Sequence, residues 1–398
     1  MTDTDAKTWT PLPISVLTGF LGSGKTTLLT KLLRHPGMAD TAVIINEFGE
    51  IGLDDLLVQG ELLEHVDPSQ QTQFVKMNAG CLCCTVRGDL EVALRDLYLK
   101  RVRKQIPDFK RVVIETTGLA DPAPILHTLM DDPVLAAYYR LDGVVTTVDA
   151  VNAMDQLDKE KESVKQVAVA DRLLITKVDL AKPRELMQLR ARLHDINPGA
   201  LLFEVSHGDI DPSLILEAGL YNPDTKSADV RRWLNEEAYA HGHSHGDHHH
   251  HHAHDHDHHD HGHDHDHDHD HHGHDHAHHP HDDVNRHDDR IRAYCLVIDK
   301  PMEWDVIAGW LGSLAQSRGP DLLRMKGIVN VAGEDTPIAV HGVQHLFHPP
   351  ARIPRWPDED RRSKFVFIVR EIPRKEIEDS LARFQDEAEK RAVLAART

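Results

Sequence analysis

Cys81, Cys83 and Cys84 bring three of the chain's four cysteines into four consecutive positions. Thiolates this close repel one another unless a cation neutralises them, and zinc takes thiolates in a tetrahedron. Three of them leave a fourth position for another ligand. Structural zinc sites are normally closed by four protein ligands, so an open position suits catalysis or hand-over. Glu47 and Glu50, in NEFGE (46–50), are candidates for it, as is a histidine from the tract described below. The competing readings are a redox pair and inert packing. Cys83 and Cys84 are adjacent and poorly placed for an ordinary disulfide, and Cys81 with Cys83 would close only a strained small ring.

A second chemistry precedes the thiols. GFLGSGKT (19–26) follows the apolar run PISVLT and opens the helical pattern KTTLLTKLL, the context a phosphate loop requires. Gly22 and Gly24 let the backbone wrap a phosphate, with N–H groups turned inward and a helix N-terminus behind them. Gly19, Ser23 and Thr27 belong to the same stretch. Lys25 reaches the β- and γ-phosphates, and the Thr26 hydroxyl is a ligand for Mg²⁺. RVVIETTG (111–118) is an apolar run ending in an acid; Glu115 is placed to hold the Mg²⁺ shell, and the Gly118 N–H to sense the γ-phosphate. ITKVD (175–179) ends another apolar run. Asp179 can accept from both N1–H and the N2 amine of guanine while Lys177 packs along the purine. Hydrogen bonds to a charged group contribute roughly 1.5–3 kcal/mol each, and adenine lacks those donors, so GTP is the expected nucleotide. Thr176 stands where such motifs usually carry Asn, a departure that weakens the expected bracing of the guanine site. SHGD (206–209) offers a backbone contact to the base through Ser206 or His207. After Gly118 come Leu119 and Ala120, with no Gln to orient an attacking water, so slow turnover is expected of the isolated protein.

The thiols lie between NEFGE, at the place of a nucleotide-sensitive loop, and ETTG, the γ-phosphate sensor. Metal and nucleotide would then share one movable region, and each would change the other's affinity by the same factor.

The elements that must position these groups follow from apolar periodicity. PISVLT (13–18), TAVIIN (41–46), RVVIET (111–116), DGVVTTVD (142–149), RLLITK (172–177) and LLFEVS (201–206) are short and rich in Val, Ile and Leu, as strands buried on both faces are. Amphipathic stretches at 25–35, 89–102 and 183–196 alternate with them. This predicts an α/β fold, a mostly parallel sheet with helices on both faces. From residue 291, strands are expected at 292–299, 326–331, 336–347 and 364–370, with helices at 304–315 and 374–393, a small α+β domain. The expected organisation is a P-loop domain over 1–225, a linker over 226–290 and a C-terminal domain over 291–398. Cys295 is expected in the core of its strand. His127, in DPAPILHTLM (121–130), and His341, His345 and His348 are expected as surface histidines.

Residues 241–281 carry 24 of the 33 histidines, interleaved with Asp and Gly. Such a segment cannot bury enough apolar surface to order itself without a ligand. Neutral imidazoles suit Zn, Ni, Cu and Co, so a metal reservoir feeding the thiols is expected. The net charge of −20, about half of it in this region, argues against nucleic acid or an anionic membrane as the main partner. The first residues lack a basic-then-apolar run, and no stretch approaches the ~18 apolar residues that span a bilayer, so a cytoplasmic protein is expected.

Together GFLGSGKTT (19–27), NEFGE (46–50), GCLCC (80–84), ETTGLADP (115–122) and TKVD (176–179) resemble the CobW-like family of P-loop GTPases. These are metallochaperones related to the urease and hydrogenase nickel-insertion GTPases. RMKGIV (324–329) and GVQHLF (342–347) resemble the family's C-terminal domain. The resemblance implies GTP hydrolysis, Mg²⁺, zinc or sometimes cobalt on the cysteines, and a His-rich segment near the domain junction. Some relatives place an acidic metal ligand directly before NEFGE. Here that position is Ile45, so Glu47 or Glu50 would have to serve. Three functions are in play: a GTP-driven zinc chaperone loading an unidentified client metalloprotein, a zinc store with a regulatory GTPase, and a cobalt chaperone for corrinoid synthesis.

Overall fold

The computed structural model describes residues 11–47, 73–78, 85–216 and 291–395. The first domain is a seven-stranded sheet in the order β3-β2-β4-β1-β5-β6-β7. Its strands are β1 (Leu12–Gly19), β2 (Thr41–Glu47), β3 (Gln73–Asn78), β4 (Arg111–Glu115), β5 (Tyr139–Asp149), β6 (Arg172–Thr176) and β7 (Leu201–Val205). Every pairing is parallel. The helices are α1 (Lys25–Leu33), α2 (Thr85–Val102), α3 (Ala123–Asp131), α4 (Pro133–Tyr138), α5 (Ala153–Lys159), α6 (Lys161–Ala168) and α7 (Pro183–Ile196). Successive side chains of a strand leave on opposite faces. Leu12, Ile14 and Val16 of β1 therefore join Leu90 and Leu94 of α2 and Leu126 of α3. Leu17 joins Leu28, Leu29 and Leu33 of α1 on the other side. β1, between β4 and β5, is where chain progression reverses, and ligands bind outside the carboxyl ends of strands at such a point.

The second domain is an antiparallel sheet of β8 (Ile291–Ile298), β9 (Leu322–Val329), β10 (Ile338–Val343), β11 (Leu346–Phe347), β12 (Ala351–Arg352) and β13 (Ser363–Arg370). Helices α8 (Trp304–Arg318) and α9 (Arg374–Ala395) cover one face. Trp310 stands edge-on to Phe365 at 5.3 Å and donates its Nε1–H to Ser380 Oγ at 2.8 Å. The opposite face meets the first domain: Leu323 and Ile368 enter the cluster of Val164, Leu189 and Leu193 on α6 and α7.

The single strand expected over 336–347 is two. Gln344 takes a left-handed conformation (φ 55°), and β11 folds back so that Val343 pairs with Leu346. Cys295 is buried in β8, as its apolar strand suggests. His127 is not on the surface. It is 2 % exposed, its Nε2 lies 3.1 Å from the Val343 carbonyl, and its ring meets that of His345 edge-on at 4.7 Å. α3 is an interdomain helix, which a one-chain periodicity cannot distinguish from a surface one. His345 is exposed, whereas His341 and His348 are partly covered where the domains meet.

Candidate functional site

The loop between β1 and α1 is shaped by its glycines and tied to the sheet by hydroxyls. Gly24 caps α1 at φ 86°, a conformation in which a Cβ would be strained. Gly22 is also at positive φ, and Gly19 ends β1. Ser23 Oγ is 2.7 Å from Thr147 Oγ1 of β5. Lys25 is buried and donates to the carbonyls of Gly19 at 2.9 Å and Phe20 at 3.1 Å, which lays its stem across the loop. Thr26 Oγ1 donates to Glu115 Oε1 at 3.0 Å, across 89 residues of chain. Two hard oxygen donors thus converge at the end of the loop, the ligand chemistry Mg²⁺ selects. Gly118 packs on the same loop: a Cβ there would stand 2.8 Å from Leu21 N and Cα. Thr27 is exposed on the first turn of α1, and its carbonyl abuts Gly208.

The predicted base-binding residues also come together. Ser206 Oγ lies 3.4 Å from Asp179 Oδ1, and His207 Nε2 lies 3.9 Å from Asp179 Oδ2. Lys177 adopts φ 56°, and its ammonium is anchored at 2.7 Å on Asp149 Oδ2. Thr176, which departs from the usual Asn, makes a tie of its own. Its hydroxyl is 2.8 Å from the Ser23 carbonyl and 3.2 Å from that of Val148, tying the base motif to the phosphate loop.

Asp149 was not singled out in the sequence, although it carries the signal used for Glu115, an acid closing an apolar strand. It is 1 % exposed. Burial pushes its carboxyl up, but hydrogen bonds from Lys177, Asn152 and Val151 outweigh that and hold it below the usual range. The metal candidates Cys81, Cys83, Cys84 and Glu50, and the histidine tract, lie outside the described residues. Glu47 is described as the last residue of β2. Among the described residues no three His, Cys, Asp or Glu side chains gather as a metal site. The elements that bracket the thiols are placed: β3 ends at Asn78, in register with Glu47, and α2 begins at Thr85. β2 is paired in turn with β4, Ile45 opposite Glu115.

A phosphate loop at the reversal point of a parallel sheet, with an acid from the next strand on its threonine, defines a P-loop GTPase. The CobW/HypB/UreG nucleotide-binding domain matches residues 13–204, and the cobalamin synthesis protein CobW C-terminal domain matches residues 291–385. The zinc chaperone YjiA of Escherichia coli is 32% identical over 372 residues, 94% of this chain and 98% of that protein. The zinc-regulated GTPase metalloprotein activator 1 of Schizosaccharomyces pombe is 35% identical over 221 residues, 54% of this chain and 51% of its own. The crystal structure of zinc-bound YjiA superposes with a TM-score of 0.61 at 28% identity, covering 94% of this chain and 99% of that one. The chain belongs to the CobW/HypB/UreG family of P-loop GTPases.

Proposed function

We propose that the protein is a GTP-dependent zinc metallochaperone. It binds zinc through Cys81, Cys83 and Cys84 with a carboxylate from Glu47 or Glu50, hydrolyses GTP slowly on its own, and passes the metal to a client protein. The register at the carboxyl edge of the sheet carries this reading. Glu47, Asn78 and Glu115 end three neighbouring strands, and Asn78 is three residues from the first cysteine. A metal held on the 81–84 segment and a nucleotide held by the loop after β1 would bear on the same edge. The names of the relatives support zinc as the cargo.

In this reading Lys25 and the loop amides hold the phosphates, Thr26 and Glu115 hold Mg²⁺, and the Gly118 N–H meets the γ-phosphate. When bound, Mg²⁺ would offset charge on the transferring phosphoryl group. Asp179 selects guanine, with Ser206 and His207 beside it. The histidine tract gathers zinc for the thiols. No helix among the described residues is long and apolar enough to cross a membrane. A reducing compartment such as the cytoplasm would keep the thiols available.

The test is the zinc dissociation constant with a GTP analogue, with GDP and without nucleotide, measured in protein lacking 241–281 and in its Cys83→Ser variant. The reading expects one tight, Cys83-dependent site whose affinity differs between nucleotide states by about 5- to 150-fold. Three equal constants would leave a metal sponge joined to an unrelated hydrolase. Acceleration of hydrolysis or zinc release by a client separates delivery from storage.

A further inference from the structure

Gln166 lies on α6, a helix that contributes no residue to the phosphate or base motifs. It is 1 % exposed. Its amide nitrogen donates to the carbonyl of Gly118 at 3.1 Å and to that of Ala120 at 3.0 Å. Both amide hydrogens are thus spent on the two residues flanking Leu119, whose side chain is 57% exposed. The preceding residue of α6 grips the next turn of the same segment, Lys165 Nζ meeting Asp121 Oδ2 at 2.9 Å. Three contacts from two adjacent residues hold three of the four positions 118–121.

The remaining atom of the amide is informative. Gln166 Oε1 is buried with no hydrogen-bond partner among the described residues. The side-chain hydrogen bonds Gln166 makes are both to the 118–120 segment.

We propose that Gln166 is a positioning residue for GTP hydrolysis: by pinning the carbonyls of Gly118 and Ala120 it sets where the Gly118 N–H stands. This rests on the reading of Gly118 as the group that meets the γ-phosphate. Gln166 acts through the loop, and so it matters for the triphosphate and little for the diphosphate.

The experiment uses the full chain with Gln166→Met, Lys165→Met and Gly118→Ala, and measures kcat and KM for GTP together with the affinities for GDP and a non-hydrolysable GTP analogue. Gln166→Met is expected to lower kcat and weaken the analogue by about tenfold each, the worth of two neutral hydrogen bonds, with GDP affinity changed less than about twofold. Lys165→Met should move the same quantities by about threefold, since its ion pair is partly solvated, and it serves if Gln166→Met fails to fold. Equal weakening of GDP and analogue, or an unchanged kcat in both α6 variants, overturns the role of Gln166. If Gly118→Ala loses the GTP–GDP discrimination while both α6 variants keep it, the inference alone fails. If Gly118→Ala leaves GDP affinity intact and keeps the discrimination, the sensor reading fails and takes the inference with it; if its Cβ against Leu21 weakens both nucleotides, the two α6 variants decide the inference.

Discussion

The two edges of the first sheet solve opposite problems with the same residue type. At the carboxyl edge, Glu115 and Asp149 are buried acids: Thr26 donates to the first, and Asn152, backbone amides and Lys177 donate to the second. At the amino edge, Asp171 is buried against two cations of the other domain. Arg324 Nη2 lies 2.6 Å from its Oδ1, Lys326 Nζ meets the same oxygen, and the Val144 N–H donates to Oδ2 at 2.9 Å. Burial raises the Asp171 carboxyl, but Arg324 and Lys326 outweigh it and hold it far below the usual range. Arg324 and Lys326 crowd one carboxylate, and Arg172 stands near enough to add to the repulsion on Lys326. Burial, with Arg324 adding to it, therefore pulls Lys326 down to about 8 against the opposing pull of Asp171. The carboxyl edge sets its acids beside the phosphate loop and the base motif, and the amino edge uses its acid to hold two domains together.

If that contrast is right, Asp171→Asn should give the largest loss of stability. It removes the carboxylate that buried Arg324 and Lys326 both meet, worth about 3–5 kcal/mol in urea unfolding. The folded fraction should still bind GTP, so lost binding with unchanged stability would break the comparison. Lys25→Ala should do the reverse, lowering kcat by about 100- to 1,000-fold with little change in unfolding midpoint. Asp179→Ala should erode guanine preference by roughly 1.5–3 kcal/mol, read as the ratio of GTP to ATP affinity. Thr176→Val, which removes a hydroxyl from the phosphate loop, should cost about 0.5–1.5 kcal/mol of nucleotide affinity.

The smallest effect is a pH slope. Burial, then the charges of Lys326 and Arg324, hold the His341 imidazole well below its ordinary value, so it is neutral in the folded protein at neutral pH. An unfolded histidine titrates near 6.5. Stability is therefore full above that pH and is lost as pH falls through it towards the folded value, by at most about 1.4 kcal/mol per pH unit. His341→Gln should flatten the fall in melting temperature between pH 7.5 and 5.5. An unchanged slope would show that the junction does not sense protons through this ring.

Most of the carboxyl edge was legible because its signals are local: an apolar run, then Gly-rich turns or an acid, within eight or nine residues. The contact of Thr26 with Glu115 followed from two such signals read separately. Asp149 carries the same signal, but no familiar motif surrounds it to mark it out. The amino edge was opaque for a physical reason. Asp171 and Arg324 are 153 residues apart, and neither sits in a pattern that names the other. His127 failed likewise, since its partners Val343 and His345 come from the second domain. α6, at eight residues, is too short to declare itself by periodicity. Thr176 is legible as a departure, but its contact with the Ser23 carbonyl is seen only in the structure.

The closed seam around Asp171 has a practical consequence for dissecting the protein. A fragment stopping at residue 216 would look like a complete nucleotide-binding unit, yet it would open the pocket over Val164, Leu189 and Leu193 that Leu323 and Ile368 fill. It would also strip Asp171 of both its cations. Such a truncation is expected to be sticky and short-lived in solution. Aspartate at 171 is the position to redesign first for anyone wanting the hydrolase half alone.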